Sequence, residues 1–414
     1  MIKNPVRGMR DILPNDLSLR EYLLDIITRG AAAAGYHKIE TPMMEHLENL
    51  TSKDGGENET LIFKVLKRGR DLEKAKASGD ELSDSALRYD LTVPLARFYA
   101  AHTTELPAPF KTLQIGPVWR ADAPQKGRYR QFTQCDMDIL GDSTILAEID
   151  SINTVLTILS EICEKAKLTG LTVHLNDRRI LSAAAAYAGF KEEDYGAVLI
   201  ALDKNDKIGL EGVKKELLKL DYPEDVVDKF IKLFEDVSED TQISSFCAQL
   251  GEFALEDEVI DDLSVIMDSV ETGAGRIIFD PTLVRGMGYY TGPIYECTAD
   301  GLGSSIAGGG RYDKMIGKFS GQDVAACGFS IGFERLLTIL DDLGFKPEMK
   351  QESCAILVSK KVPKSDYQDI VKRAAKMREE GQTVSVLPMA RNLGRQIRTL
   401  EETGYTKIEK IYGD

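Results

Sequence analysis

Histidine is scarce in this chain and its cysteines are isolated: four histidines and six cysteines are spread over 414 residues, with no CxxC pair and no HExxH. Such scatter removes the case for a tightly held transition metal and leaves His37, His46, His102 and His174 as structural histidines. A disulfide scaffold is equally unsuited to a chain this long, so Cys135, Cys163, Cys247, Cys297, Cys327 and Cys354 are expected to be reduced thiols. No apolar run approaches the roughly 18 residues of a membrane span, and the opening MIKNPVRGMRDILP lacks the hydrophobic stretch of a secretory signal. A cytoplasmic protein with no membrane partner is expected. Two phosphate-binding fingerprints are also missing. No Lys-Ser/Thr pair follows the glycines of AGGGRYD (307–313), and GLGSSI lacks the third glycine of a dinucleotide loop, so Walker and Rossmann sites are poor explanations.

The composition is that of a globular protein, 43% hydrophobic and 29% charged. At about 150 residues per domain, the length predicts two or three domains. The net charge of −15 repels a polyanion on average, so a nucleic-acid partner would need locally basic surface. WRADAPQKGRYR supplies one, where Arg120, Lys126, Arg128 and Arg130 outnumber Asp122. A solvated charged hairpin is the competing explanation of that segment.

After Pro14, Asn15 or Asp16 can cap a helix whose apolar face is Leu19, Tyr22, Leu23, Ile26 and Ile27, with Gly35 as its stop. YHKIETP follows as an extended segment. Residues 67–85 are polar without periodicity and read as a surface loop between strand-like LIFKV and ALRYD. FKTLQIGPVWR and RQFTQCDMDIL predict two strands joined by the basic PQKGR turn. From about 143 to 272 the pattern is mainly helical, interrupted by strand-like LTVHL. Strand signals return at RIIF and run to AACGFSIG, and FERLLTILDDLG turns helical. After a polar linker, CAILVS opens a small α/β unit.

The chemistry concentrates late in the chain. LVRGMGYYTGPIYE (283–296) joins the donor fork of Arg285 to Gly286 and Gly288, which permit close backbone approach, and to the aromatic faces and hydroxyls of Tyr289 and Tyr290. The competing explanation is an edge strand with exposed tyrosines. AGGGRYD alone favours a tight turn over a phosphate cradle. In GFSIGFERLL, Gly332 marks a strand-to-helix junction, and Arg335 adds a cation to the positive end of a helix dipole, an arrangement that calls for an anion.

Together these segments resemble the histidyl-tRNA synthetases, which are class II aminoacyl-tRNA synthetases. GYHKIETPMME is similar to class II motif 1, VWRADAPQKGRYRQFTQCDMDILGD to motif 2 and GFSIGFERL to motif 3. LVRGMGYYTG and AGGGRYD resemble the two signatures peculiar to the histidine enzyme, and ALRYDLTVPLAR the segment that holds the substrate's amino group. The resemblance implies an α+β fold: an antiparallel sheet flanked by helices, an inserted helical domain, and a C-terminal α/β domain like those that bind anticodons. The implied boundaries are 1–170 and 273–345 for the catalytic domain, 171–272 for the insertion and 352–414 for the C-terminal domain.

The resemblance also implies ATP as a substrate, Mg²⁺, L-histidine, tRNA(His) and a homodimer. Arg120, Arg128, Phe132 and Arg335 would bind ATP, with Arg120 at the α-phosphate, Phe132 on adenine and Arg335 at the far phosphate. Arg285 would bridge the α-phosphate and the substrate carboxylate, so that Arg120 and Arg285 are the catalytic pair. Asp90 and Thr92 would take the α-amino group, Gln134 would lie near the substrate backbone, and Asp138, Tyr289 and Tyr290 complete the histidine pocket, with Asp138 and Tyr290 addressing the imidazole. The ligands of a metal are not implied. Gly288 stands where many family members have aspartate, Ala123 where many have arginine, and the C-terminal domain reads as shortened. The alternative is a histidine-binding regulatory protein like the synthetase-derived subunit of ATP phosphoribosyltransferase, which has no need of the ATP-binding arginines.

Overall fold

Two ten-residue strands, each long enough to cross the molecule's main sheet, organise the structure around residues 110–140. The structure, a computed structural model, describes residues 1–51, 60–125, 127–253, 255–270, 273, 275–285, 289–302, 305–347 and 353–413. Two compact units emerge, one of Met1–Arg10 with Leu23–Gly344 and one of Asp11–Tyr22 with Phe345–Asp414.

In the larger unit the strands are β1 (His37–Ile39), β2 (Met44–His46), β3 (Lys64–Leu66), β4 (Ser83–Leu87), β5 (Phe110–Trp119), β6 (Gln131–Leu140), β7 (Thr172–Asp177), β8 (Arg276–Phe279), β9 (Pro293–Thr298), β10 (Ala307–Arg311) and β11 (Ala326–Ile331). Eight form one sheet in the order β1-β5-β6-β11-β10-β9-β7-β8. Only the outer pairs β1·β5 and β7·β8 are parallel; every pairing between them is antiparallel. A small antiparallel sheet, β2-β4-β3, stands beside it in the chain order. The architecture is therefore α+β, with helices flanking a mainly antiparallel sheet.

The helix Pro14–Ala33 starts at a proline, which the first turn tolerates, and buries Leu23, Ile26 and Ile27. Gly30 has no side chain because a Cβ there would collide with Ile158 of the helix Leu146–Ala166. That second helix buries Ile152, Val155, Leu156 and Leu159 and bonds the sheet through Ser151 Oγ to Tyr295 OH, 2.6 Å. Between β7 and β8 the chain is helical, and an aromatic chain from Phe190 through Phe230, Phe234 and Phe246 to Phe279 ties those helices to β8, at centroid separations of 5.1 to 6.0 Å.

Three readings are corrected. Residues 67–85 are not a loop: Gly69–Ser78 is a helix, and β4 follows it. Its apolar stripe is only Leu72 and Ala75, too narrow to show a period among the surrounding charges, and Gly79 at φ 77° closes it by donating to Ala75 O. AGGGRYD is likewise no tight turn. Ala307–Arg311 is an interior strand between β11 and β9, glycine-rich because its neighbours leave no room for side chains. LVRGMGYYTGPIYE is not an edge strand either, since β9 lies between β10 and β7 and Tyr290 is buried. Gly286 and Gly288 lie outside the described residues.

The smaller unit is a parallel three-stranded sheet, β12 (Ser353–Val358) between β13 (Thr383–Pro388) and β14 (Lys407–Ile411). Helix Tyr367–Glu379 covers it with Ile370 and Ala374, packed on Cys354, Ile356, Val358 and Val384.

Candidate active site

Side chains alternate along a strand, so Gln134, Asp136 and Asp138 of β6 share one face, and all three line a cavity of about 390 Å³. Across the β6·β11 pairing Asp136 faces Ser330 and Asp138 faces Gly328. Gly328 is a clearance residue: a Cβ there would lie 2.8 Å from Asp138 Cγ. Ser330 Oγ donates to Asp136, and Tyr312 OH, just beyond β10, donates to Asp138. Burial pushes Asp136 up to about 7 and Asp138 up to about 8, and the proximity of the two carboxylates adds to the rise at Asp138. Asp90, at the start of the helix Thr92–His102, is also raised by burial, although its Oδ1 accepts from Val93 N–H at 3.1 Å.

Arginines furnish the opposite charge. Arg120 follows β5, donates from Nε to Tyr89 O at 3.1 Å, and lies 4.2 Å from the Tyr89 ring and 5.2 Å from the Phe132 ring. Arg128, half-exposed in the β5–β6 connection, pairs with Asp122 at 3.0 Å. Arg335 sits in the first turn of the helix Phe333–Asp342 and donates to Ser305 O. Arg285 lies beside β10, with Nη1 3.6 Å from Glu296 of β9. Burial opposes its charge, but Tyr290, Glu296 and Tyr289 more than offset this, and its pKa is raised. Gly308 makes this placement possible, since a Cβ there would collide with the guanidinium.

The cavity is lined by Asp90, Thr92, Arg120, Arg128, Phe132 and Gln134, and from elsewhere in the chain by Asp138, Arg285, Tyr289, Tyr290 and Arg335. Every site residue named from the sequence thus meets in one place. Four arginines and three buried aspartates share it, a charge pattern suited to a ligand pair that combines a polyanion with a zwitterion. Residues 8–336 match the family described as Histidyl-tRNA synthetase. The chain belongs to that family.

Among its relatives, the histidine–tRNA ligase of Leifsonia xyli subsp. xyli is 46% identical over 354 residues, which cover 81% of this chain and 80% of that protein. That of Christiangramia forsetii is 35% identical over 408 residues, 95% of this chain and 88% of the other. The crystal structure of histidyl-tRNA synthetase from Nostoc sp. PCC 7120 superimposes with a TM-score of 0.77 at 27% identity, covering 98% of this chain and 90% of that one. A structure described as an ATP phosphoribosyltransferase regulatory subunit/histidyl-tRNA synthetase, from Bacillus halodurans C, has a TM-score of 0.75 over 100% of this chain and 99% of that one. At 20% identity, it shares the fold alone.

Other residues of this synthetase escaped the sequence reading. Asp136 carried a signal, the two-residue period in QCDMD, but Tyr312, Ser330, Glu296 and the clearance glycines meet the site only through strand pairing. Glu334 is another: it accepts from Arg10 at 2.7 Å and from Thr133 N–H at 3.3 Å, fastening the helix Phe333–Asp342 to β6 and to the N-terminal segment.

Proposed function

We propose that the cavity condenses L-histidine with ATP to histidyl adenylate, and that the chain then transfers the histidyl group to tRNA(His). It is a histidine–tRNA ligase, a class II aminoacyl-tRNA synthetase. In the first step a carboxylate oxygen bonds the α-phosphorus as the bond to pyrophosphate breaks; in the second a terminal ribose hydroxyl attacks the acyl carbon and AMP leaves. Both partners of the first step are anionic, so positioned cations are what the reaction needs.

Arg120 binds the α-phosphate and Arg285 spans it and the histidine carboxylate, each presenting a planar fork that lysine cannot copy. Phe132 offers a stacking face to adenine, Arg335 holds the far phosphate and Arg128 joins the phosphate group. Asp90 and Thr92 receive the α-ammonium, with Gln134 close to it, and Asp138, Tyr289 and Tyr290 enclose the imidazole. Polar groups that need an imidazole partner reject other amino acids by roughly 10⁴ to 10⁵, which dispenses with an editing site. What supports these roles is the convergence of all eleven side chains on one cavity. The regulatory reading accounts for the histidine-facing residues, Arg285 included, but leaves Arg120, Arg128 and Arg335 without a task.

The chain's fit to Mg²⁺ is as a passenger on ATP. No three His, Cys, Asp or Glu side chains converge as a metal cage among the described residues, and Mg²⁺ is commonly held by nucleotide phosphates with one or two carboxylates. When bound it would neutralise phosphate charge. The helices of 171–272 serve as a lid or tRNA contact, 352–414 grips the anticodon, and the working unit is a homodimer in the cytoplasm. Among the described residues no helix is long and apolar enough to cross a membrane.

The test is exchange of labelled pyrophosphate into ATP. Exchange that requires histidine is the expected outcome; histidine binding with no exchange in the presence of Mg²⁺ would move the chain to the regulatory class.

A further inference from the structure

The N-terminal segment touches the cavity's framework at a few well-defined points. Residues 1–7 are exposed, but Gly8 O accepts from Arg130 N–H at 2.8 Å, and Arg130 O in turn accepts from Arg120 N–H at 2.9 Å. The approach at Gly8 is close: with φ at 82°, a Cβ would come within 2.8 Å of Arg130 Cγ and Cδ and 2.9 Å of Pro124 Cγ. Two residues on, Arg10 lays its guanidinium over the Tyr129 ring, Cζ 4.2 Å from the centroid, and donates from Nη2 to Glu334 Oε2 at 2.7 Å. The other oxygen of that carboxylate accepts from Thr133 N–H at 3.3 Å.

Each of these partners adjoins a residue that the proposed function gives to ATP. Tyr129 follows Arg128, Thr133 follows Phe132, Glu334 precedes Arg335, and Arg130 is bonded through its main chain to Arg120. Tyr129, Thr133 and Glu334 themselves line the cavity, and Arg10 stands behind them. We propose that Arg10 is a positioning residue for ATP, a clasp between the β5–β6 connection and the helix Phe333–Asp342 that sets the spacing of Arg128, Phe132 and Arg335 before the nucleotide arrives. This rests on the reading of the cavity as a site for ATP and histidine. The Arg10 side chain is 36% exposed, and an ion pair open to solvent on one side adds little to global stability, so the fold does not depend on it. Its contribution is preorganisation, because a loop and a helix already fastened together need no ordering by the ligand.

The experiment measures by calorimetry the affinity of ATP with Mg²⁺, and separately of histidine, for the wild type, Arg10→Ala, Glu334→Gln and the double variant. Glutamine keeps an oxygen for Thr133 N–H and gives up only the charge that faces Arg10. Arg10→Ala should weaken ATP about 10-fold, the scale of one hydrogen bond to a charged group, and leave histidine within about twofold. On the Glu334→Gln background the same substitution should cost clearly less, because the two side chains act as one unit.

Equal losses for ATP and histidine would reduce Arg10 to a surface staple, and unchanged ATP affinity or strict additivity with Glu334→Gln would remove the clasp; any of these overturns the proposal. Should Arg10→Ala fail to melt cooperatively, Glu334→Gln alone carries the comparison. It should weaken ATP and spare histidine, and a shared loss or none would overturn the proposal. A wild type that binds histidine and not ATP would sink the ligase reading and this proposal with it, whereas a wild type that binds both, with an unselective loss in the variants, sinks this proposal alone.

Discussion

Gly308 and Arg285 occupy one space: a Cβ on residue 308 would lie 2.7 Å from Cζ of the arginine. The glycine on β10 is thus part of how the arginine is aimed. Gly308→Ala leaves the strand's backbone demands satisfied but pushes the guanidinium aside. It should slow adenylate formation about 10²-fold while ATP binding is nearly unchanged, approaching the effect of Arg285→Ala, since loss of one preorganised donor costs about 2.7 to 4 kcal/mol. Added to Arg285→Ala, it should cost little more. A Gly308→Ala protein with the wild-type single-turnover rate would show that the arginine finds its place without this clearance.

The aspartates predict a pH dependence. Burial raises Asp136 from 3.8 to about 7 and Asp138 from 3.8 to about 8. A carboxyl whose folded pKa lies above its unfolded value favours the fold in its protonated form. This contribution is fully present below about pH 4 and is lost as pH rises through about 7 to 8. The ligand-free melting temperature of the wild type should accordingly fall between about pH 5 and 8 more steeply than that of Asp138→Asn, which has no carboxyl to ionise at that position. Parallel slopes would mean that the Asp138 carboxyl is not shifted. Histidine's ammonium favours the ionised pair, so binding near pH 7 should release protons, seen as a buffer-dependent heat.

How much of this was legible beforehand depends on whether a feature is local. The strands FKTLQIGPVWR and RQFTQCDMDIL were readable because their apolar alternation and the PQKGR turn lie in one stretch, and they became the β5·β6 pair. Helix Gly69–Ser78 was not, because a stripe of two residues, Leu72 and Ala75, is too short for a period to rise above the charges. Arg285, Arg120 and Arg335 could be picked out as residue types that a core would not select. Tyr312 on Asp138 and Gly308 beneath Arg285 are relations across 174 and 23 positions, created when β6, β11 and β10 pair, and no spacing announces them. The glycines of AGGGRYD illustrate the difference: in isolation they suggest a turn, yet their cause is a neighbouring strand and an arginine that need the volume.

A buried ion pair behind the site predicts stability without chemistry. Arg311 Nη2 donates to Glu148 Oε2 at 2.7 Å and Nε to Oε1, with Glu148 fully buried. Burial raises Glu148 even beside the arginine, the mark of a pair whose desolvation cost rivals its attraction. Glu148→Gln should destabilise by about 3 kcal/mol in denaturant unfolding, because it takes the buried two-pronged counter-charge from Arg311 and leaves only the longer pairing to Asp313, 3.3 Å from Nη1. Replacing both, with Arg311→Met, should cost less than the sum of the single changes. Strict additivity would show that the two side chains act independently.

The smaller unit should matter to tRNA charging and not to amino-acid activation, because every proposed chemical residue precedes residue 345. Its composition refines the experiment. Asp11–Tyr22 belongs to it, with Asn15 Nδ2 donating to Glu402 O at 3.1 Å and Tyr22 meeting Phe345 at a centroid distance of 5.9 Å. Deleting 352–414 removes the Glu402 partner of Asn15 from the first turn of the helix Pro14–Ala33, while Tyr22 keeps Phe345 and Leu23, Ile26 and Ile27 stay buried in the larger unit. Fraying confined to that turn is expected, read as faster amide exchange there with protection kept from Leu23 onward. Pyrophosphate exchange should persist, and the tRNA concentration needed for aminoacylation should rise. The two assays belong on one preparation of verified mass and cooperative melting. If exchange disappears from such a preparation, chemistry and tRNA recognition are not divided at this boundary.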